Sequence, residues 1–103
     1  MKPYGFTCMD AVLHALADPV RRKIVEELAR RDEQTLYELC VRLLMNANVD
    51  MTRQGLGKHL AVLVKAGLVR STRRGKYKVL TLDGKALDRS IRPWLDAITK
   101  HTK

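Results

Sequence analysis

The sequence predicts a mainly α-helical domain that carries one small β-hairpin, and three observations support this fold class. Apolar residues recur at helical spacing in five separate stretches. A Thr or an Asp, residues typical of helix N-caps, precedes each stretch. Between the fourth and fifth stretches the pattern changes to two short β-prone runs around a glycine-containing turn. The predicted order of elements is therefore α-α-α-α-β-β-α.

The size and charge of the chain indicate one domain with a polyanionic partner. Its 103 residues carry a formal net charge of +9 and fit a single domain spanning residues 1–103. This charge favours nucleic acid, although an anionic membrane would satisfy it equally. There is no membrane-spanning apolar run and no signal-peptide core, so we expect a cytoplasmic protein with no membrane partner. The two cysteines fit a reducing compartment.

The first two helices are predicted to begin after Thr7 and after Asp18. Pro19 favours a helix start at the second position, because it gives up an N–H that has no helical partner there. In the second helix Glu27 is expected to face outward with the other charged residues. Its inward face consists of Ile24, Val25 and Leu28. The apolar residues of the first helix cover a wide arc that needs more than one neighbour, and they are Met9, Val12, Leu13 and Leu16.

The third helix is predicted from a capping box formed by Thr35 and Glu38, whose side chains satisfy each other's backbone N–H groups. It is expected to end within residues 45–50, a polar segment rich in turn-forming residues. That segment predicts the turn of a helix-turn-helix, although it is longer than the usual tight turn.

The fourth helix is predicted to have two different faces. Thr52 is its expected N-cap and Gly67 its left-handed C-terminal residue. One face is an apolar stripe of Leu56, Leu60 and Leu63. The opposite face combines small residues with long hydrogen-bond donors, which lets a rigid surface approach while the donors reach it. These residues are Arg53, Gln54, Gly57, Lys58 and Ala61.

A basic hairpin is predicted to follow, with its turn at residues 73–76. A helix-turn-helix followed by such a hairpin, or wing, is a winged helix-turn-helix. From Met51 to Leu82 the chain has eight Lys or Arg residues and no Asp or Glu. Because solvated surfaces normally mix both signs of charge, this segment favours a polyanionic partner.

The last helix is predicted to begin after Asp83, and Pro93 is expected to kink it or to break it into two pieces. Its apolar seam includes Trp94, which is too large to be covered by so small a body. We therefore expect a homodimer through the first and last helices, the alternative being that Trp94 packs within its own chain. The expected interface residues are Val12, Leu16, Leu87, Ile91, Trp94, Leu95 and Ile98.

Three segments in register resemble the ArsR family of winged-helix transcriptional repressors, and they are residues 13–25, 57–69 and 73–77. The resemblance implies a homodimer that binds a palindromic operator of double-stranded DNA, usually as a repressor, with two recognition helices in successive major grooves. It also implies a possible metal site with the motif Glu-Leu-Cys-Val-Cys. Here Glu38-Leu-Cys-Val-Arg42 has Arg at the second Cys, and the last helix has no Asp-x-His pair. We expect no metal and no cofactor, and the inducer is unknown.

The predicted function is that of a sequence-specific DNA-binding transcriptional repressor, and no catalytic constellation or cofactor fingerprint indicates an enzyme. One alternative is a non-specific architectural DNA- or RNA-binding protein. Another is a thiol- or ligand-responsive sensor, with Cys8 and Cys40 as a possible redox pair. The predicted DNA-binding residues are Thr52, Arg53, Gln54, Gly57 and Lys58 on the fourth helix and Arg73, Arg74, Lys76 and Lys78 on the wing.

Overall fold

A computed structural model describes residues 8–100 and 102 of the chain. The predicted order of helices and hairpin is confirmed, with one short strand added before the third helix. The elements are α1 (Cys8–Leu16), α2 (Pro19–Arg30), β1 (Gln34–Thr35), α3 (Leu36–Ala47), α4 (Arg53–Lys65), β2 (Val69–Arg74), β3 (Tyr77–Leu82) and α5 (Gly84–Thr99).

The predicted N-caps form in the four helices whose caps are described. Asp18 accepts hydrogen bonds from the backbone N–H groups of the first turn of α2, and Asp83 does the same at α5. Thr35 and Glu38 form the complete capping box of α3. The hydroxyl of Thr52 accepts from the first turn of α4. The cap predicted for α1, Thr7, lies outside the described residues.

The three strands form one antiparallel sheet in the order β1-β3-β2. The strand β1 was not predicted, because two residues are too few to show a periodic pattern. Its Gln34 is buried, and the side-chain Nε2 donates to the carbonyls of Glu27 at 3.1 Å and Arg31 at 2.7 Å. These bonds attach the sheet to the C-terminal end of α2.

The core lies where α1 to α4 meet the base of the hairpin. The predicted inward stripe of α4 is confirmed, since all three of its leucines are buried. Gly67, directly after the helix, has φ +83°, as its predicted left-handed conformation requires. The core residues are Val12, Ala15, Ile24, Leu28, Leu39, Leu43, Leu56, Leu60, Leu63, Leu68, Val69 and Leu80.

Two sequence-based expectations about α2 and α5 are wrong. Glu27 was expected at the surface, but it is buried and its carboxylate is bound by Arg30 at 2.8 Å and by Asn46 at 3.3 Å. The spacing of apolar residues indicates which side of a helix faces the core. It does not show whether donors on a neighbouring helix can bind an acid that is buried there. The alternative of a last helix broken in two is also wrong, because α5 continues through Pro93 to Thr99.

Candidate nucleic-acid interface

The outer face of α4 presents its polar side chains to solvent. Thr52 begins the helix by accepting a hydrogen bond from the backbone N–H of Gly55 at 3.0 Å. The three long donors predicted to reach a partner are all exposed, and they are Arg53, Gln54 and Lys58. They stand in the first turns of the helix, where the helix macrodipole is positive and attracts an anion.

Gly57 leaves room at the centre of this face for an external surface. A Cβ atom built on Gly57 would have no protein atom within 4 Å, so internal packing does not require the missing side chain. One helical turn later Ala61 is also exposed. Glycine is unfavourable inside a helix by roughly 1 kcal/mol relative to alanine. The described contacts give this residue no structural role that would compensate for the loss.

The wing places two of its predicted cations on the face next to α4. Arg73 pairs with Lys78 across the hairpin, so two like charges stand directly opposite each other. Such a pair is destabilising by itself and is relieved by an anion that binds both. Gly75, in the two-residue turn, has φ +61°, which the tight turn favours in a glycine. Lys76 follows it at the tip of the wing.

Arg74 lies one position along the strand and therefore points to the opposite face of the hairpin. Its two terminal nitrogens donate to the two carboxylate oxygens of Glu33 at 3.1 and 3.0 Å. These hydrogen bonds and the nearby positive charge hold the pKa of the Glu33 carboxyl below its ordinary value. Glu33 itself has φ +57°, a backbone conformation that is uncommon for any residue other than glycine. The guanidinium predicted to bind DNA is thus already paired with an acid.

The cations of the segment 51–82 divide into two groups. Arg70 contacts Asp83 at 3.5 Å and Arg74 contacts Glu33. For the other six, no ion pair with another of the described residues is found. The unpaired group consists of Arg53, Lys58, Lys65, Arg73, Lys76 and Lys78. A surface with so much uncompensated positive charge is suited to a polyanion.

A second surface is formed by α1 and α5, where exposed apolar side chains include Leu13, Trp94 and Ile98. A shallow groove of about 420 Å³ separates the two helices. Val12 was expected on this surface, but it is only 1 % exposed and belongs to the core of its own chain. Its assignment to the interface is wrong, because a side chain already covered within the protomer has no area left for a partner.

Two of the residues considered for metal or thiol chemistry, Cys40 and Arg42, lie on α3. Arg42, which stands where the ArsR motif has a Cys, extends one Nη to 3.9 Å from the Glu27 carboxylate. Within residues 8–100 and 102, acidic, His and Cys side chains do not gather in groups of three that could hold a metal ion. Cys40 is half-buried with its Sγ 3.9 Å from the carbonyl oxygen of Met51. The side chain of Cys8 lies outside the described part, so the redox pair stays a prediction.

Comparisons with known proteins agree with this geometry. A family model described as a helix-turn-helix domain matches residues 16–72. An uncharacterized HTH-type transcriptional regulator of Bacillus subtilis (strain 168), YuzN, is 46% identical over 87 residues, which are 84% of this chain and 95% of that protein. The solved structure of an ArsR-like transcriptional regulator from Rhodococcus sp. RHA1 is 28% identical, with a TM-score of 0.74 over 90% of this chain and 81% of that one.

The chain belongs to the ArsR family of winged helix-turn-helix transcriptional regulators. It is therefore a DNA-binding transcriptional regulator, as the sequence predicted. The same fold occurs in the homodimeric winged helix-turn-helix domain of Mb0332 from Mycobacterium bovis, at 20% identity and a TM-score of 0.67 over 93% of this chain and 86% of that one. None of the helices in the part of this regulator that is described has the length and apolar character needed to cross a bilayer.

Three residues beside the predicted DNA-binding set of this ArsR-family regulator were missed. Lys65, Tyr37 and Tyr77 line the space between α4 and the wing together with Arg53 and other predicted residues. Lys65 shares a helical face with Gly57 and Ala61, so its spacing could have indicated it. The tyrosines come from α3 and β3, and only the packing of these elements brings them to the same place.

Proposed function

We propose that this protein is a homodimeric repressor that binds one palindromic operator in double-stranded DNA. The observation that carries the proposal is the exposed, acid-free face of α4 and the adjoining face of the wing. It combines long donors, a glycine open to close approach and six cations that are not in ion pairs with described residues. In this arrangement α4 lies in the major groove and the wing lies against the neighbouring backbone.

Within this face the residues have two different roles. Arg53, Gln54 and Lys58 read base edges or bind nearby phosphates, while Thr52 and Gly57 orient the helix and permit its approach. Arg73, Lys76 and Lys78 bind the phosphate backbone or the minor groove beside the wing. Arg74 takes part only if DNA draws its guanidinium away from Glu33.

The surface of α1 and α5 is proposed to join two protomers. Its exposed apolar residues, Leu13, Trp94 and Ile98, are the kind of side chains that a dimer interface covers. Half-buried residues around them complete the proposed interface, and these are Leu16, Leu87, Ile91 and Leu95. Two protomers related by a twofold axis would present two copies of α4 to the two halves of a palindrome.

The remaining parts of the proposal follow from the chemistry of DNA binding. The protein works in the cytoplasm, where the chromosome is accessible, and needs no catalytic step or bound cofactor. Repression follows from the usual output of the ArsR family, because a dimer bound at a promoter excludes RNA polymerase.

The test is a selection of fragments of the organism's own DNA that are bound by the purified protein, followed by competition with random duplex DNA and with RNA. A repressor is expected to enrich one palindrome and to prefer it by about 10³-fold or more. Equal binding of operator, random duplex and RNA would instead support a non-specific architectural protein and would contradict the proposal. A transcription assay from the enriched promoter distinguishes repression from activation.

A further inference from the structure

A wide groove separates α4 from the wing, and we call it the wing groove. It has a volume of about 1100 Å³, and its third wall is the start of α3. The interface that we propose between protomers lies elsewhere, on α1 and α5. The groove is comparable in size to the clefts that hold small organic ligands, whose volumes are roughly 300–1,000 Å³.

The walls of the wing groove are apolar to a degree that phosphate binding does not require. Tyr37 is 66% exposed, Tyr77 56% and Val64 41%, and all three line the groove. Leu36 and Leu80 lie beneath them. Large apolar side chains that meet in one concave exposed surface indicate a binding site for an apolar group.

The charge on the wing groove is strongly positive. Five of the cations that lack an ion pair with described residues line it, and the one acid there is Glu38. The Glu38 carboxylate is already used, because it accepts the backbone N–H of Thr35 at 2.9 Å in the capping box of α3. The groove therefore offers an apolar body and a cationic rim, which together complement a molecule with an apolar part and an anionic end.

We propose that the wing groove binds a small organic anion with an apolar body, such as a carboxylate attached to an aliphatic chain or an aromatic ring. The same groove is bordered by Arg53 and Gly57 of α4 and by Arg73 and Lys78 of the wing. A ligand seated there occupies the space that a DNA strand needs between α4 and the wing. Ligand and DNA therefore exclude each other, and the ligand acts as an inducer. This regulatory role rests on the proposed function, whereas binding of the anion does not.

The first experiment is a fluorescence titration of the full-length protein with cis-parinaric acid, a fluorescent fatty acid, in the absence of DNA. We expect saturable binding of one molecule per protomer, and binding at least tenfold weaker for its uncharged methyl ester, because the cationic rim recognises the carboxylate. Equal binding of acid and ester would overturn the proposal, since the anionic end would then not be recognised.

Variants locate the site. Tyr37→Ala removes an exposed ring and is expected to weaken binding of the acid about tenfold. Val64→Thr keeps the shape of the side chain and is expected to weaken it about threefold. The matched control is Leu44→Ala, which removes a side chain of similar exposure from α3 outside the groove. Unchanged binding in both groove variants, or an equal loss in the control, would overturn the assignment of the site.

The second experiment measures the affinity for a duplex recovered from the genomic selection. Because both grooves of a dimer must be empty for the operator to bind, competition contributes an elevenfold factor from each protomer when the free acid is at ten times its own dissociation constant, and the apparent dissociation constant of the duplex should rise about 120-fold. Unchanged DNA affinity would overturn mutual exclusion. If the parent protein binds no duplex, the proposed function fails, and the DNA-free titration still decides whether the anion binds.

Discussion

The wing provides a sharp prediction, because neighbouring arginines have different surroundings. Arg73 faces the wing groove without an acidic partner among the described residues, whereas Arg74 is bound by Glu33 through two hydrogen bonds. Each phosphate neutralised by a protein cation changes the slope of log K against log salt by roughly 0.9. We expect Arg73→Ala to reduce the slope by about 0.9 per protomer, or about 1.8 for a dimer on one operator.

The sequence alone predicts the same loss for Arg74→Ala, and the structure changes that expectation. Glu33 already neutralises the charge of Arg74. We therefore expect Arg74→Ala to change the slope by less than about half of the change expected for Arg73→Ala. Glu33→Gln keeps the size of the side chain but releases the guanidinium. It should therefore steepen the slope toward the value expected for an additional phosphate contact.

The assay is fluorescence anisotropy of a labelled operator duplex between 50 and 200 mM salt. Between these two salt concentrations, a slope change of 0.9 changes the ratio of the affinities at 50 and 200 mM by roughly 3.5-fold. A titration easily resolves a difference of that size. Equal slope changes for Arg73→Ala and Arg74→Ala, together with no effect of Glu33→Gln, would refute the reasoning from the ion pair.

Four other predictions concern separate parts of the molecule. Gly57→Ala should raise the free energy of unfolding in urea by up to roughly 1 kcal/mol, because alanine is the better helix former. The same variant should weaken DNA binding, because the new methyl group lies where α4 comes nearest to the DNA. Tighter binding would contradict the proposed role of Gly57 in close approach. Gln54→Ala should reduce the preference for operator over random duplex by ~1–3 kcal/mol, and equal losses on both duplexes would argue against base readout. Trp94→Asp should shift sedimentation equilibrium toward monomers, since it places a charge in the proposed interface, and an unchanged dimer would exclude Trp94 from it. Asp18→Ala should lower the free energy of unfolding by about 1 kcal/mol at pH 7, measured by urea titration. Partial burial raises the pKa of the Asp18 carboxyl, but hydrogen bonds from backbone N–H groups of α2 lower it, and its pKa in the folded protein lies below the ordinary value of 3.8. The stabilisation from Asp18 is therefore fully present above pH 3.8. It is lost as the pH falls through the lower pKa of the folded protein. A difference between parent and variant that persists after Asp18 is protonated would contradict this account.

Much of the fold was predictable because it depends on short-range signals. The cap residues Asp18, Thr35, Thr52 and Asp83 act within one helical turn, so the sequence around each is sufficient to identify it. The apolar stripe of α4 and the hairpin turn at Gly75 are local in the same sense. The acid-free segment from Met51 to Leu82 indicated the partner, since charge of a single sign is visible without any structure.

Two of the predictions that were wrong, those for Glu27 and Val12, depended on contacts between distant parts of the chain. Glu27 has the character of a surface residue on α2, and its burial is possible because Asn46 and Arg42 on α3 reach its carboxylate. Val12 belongs to an apolar arc that the pattern assigned to a partner, whereas the packing of the helices covers it. Neither outcome can be derived from spacing along a single helix.

The sequence by itself determined the order of the helices and hairpin, the location of their caps and the positive face of α4, because each follows from interactions within a few residues or from charge alone. Only the tertiary structure decided which cations of the segment 51–82 form ion pairs with described residues. Glu33 reaches Arg74 across 41 residues of sequence, and the strand register turns Arg73 and Lys78 toward the groove. The wing groove likewise exists only because α3, α4 and the hairpin meet, and its walls come from side chains that are far apart along the chain.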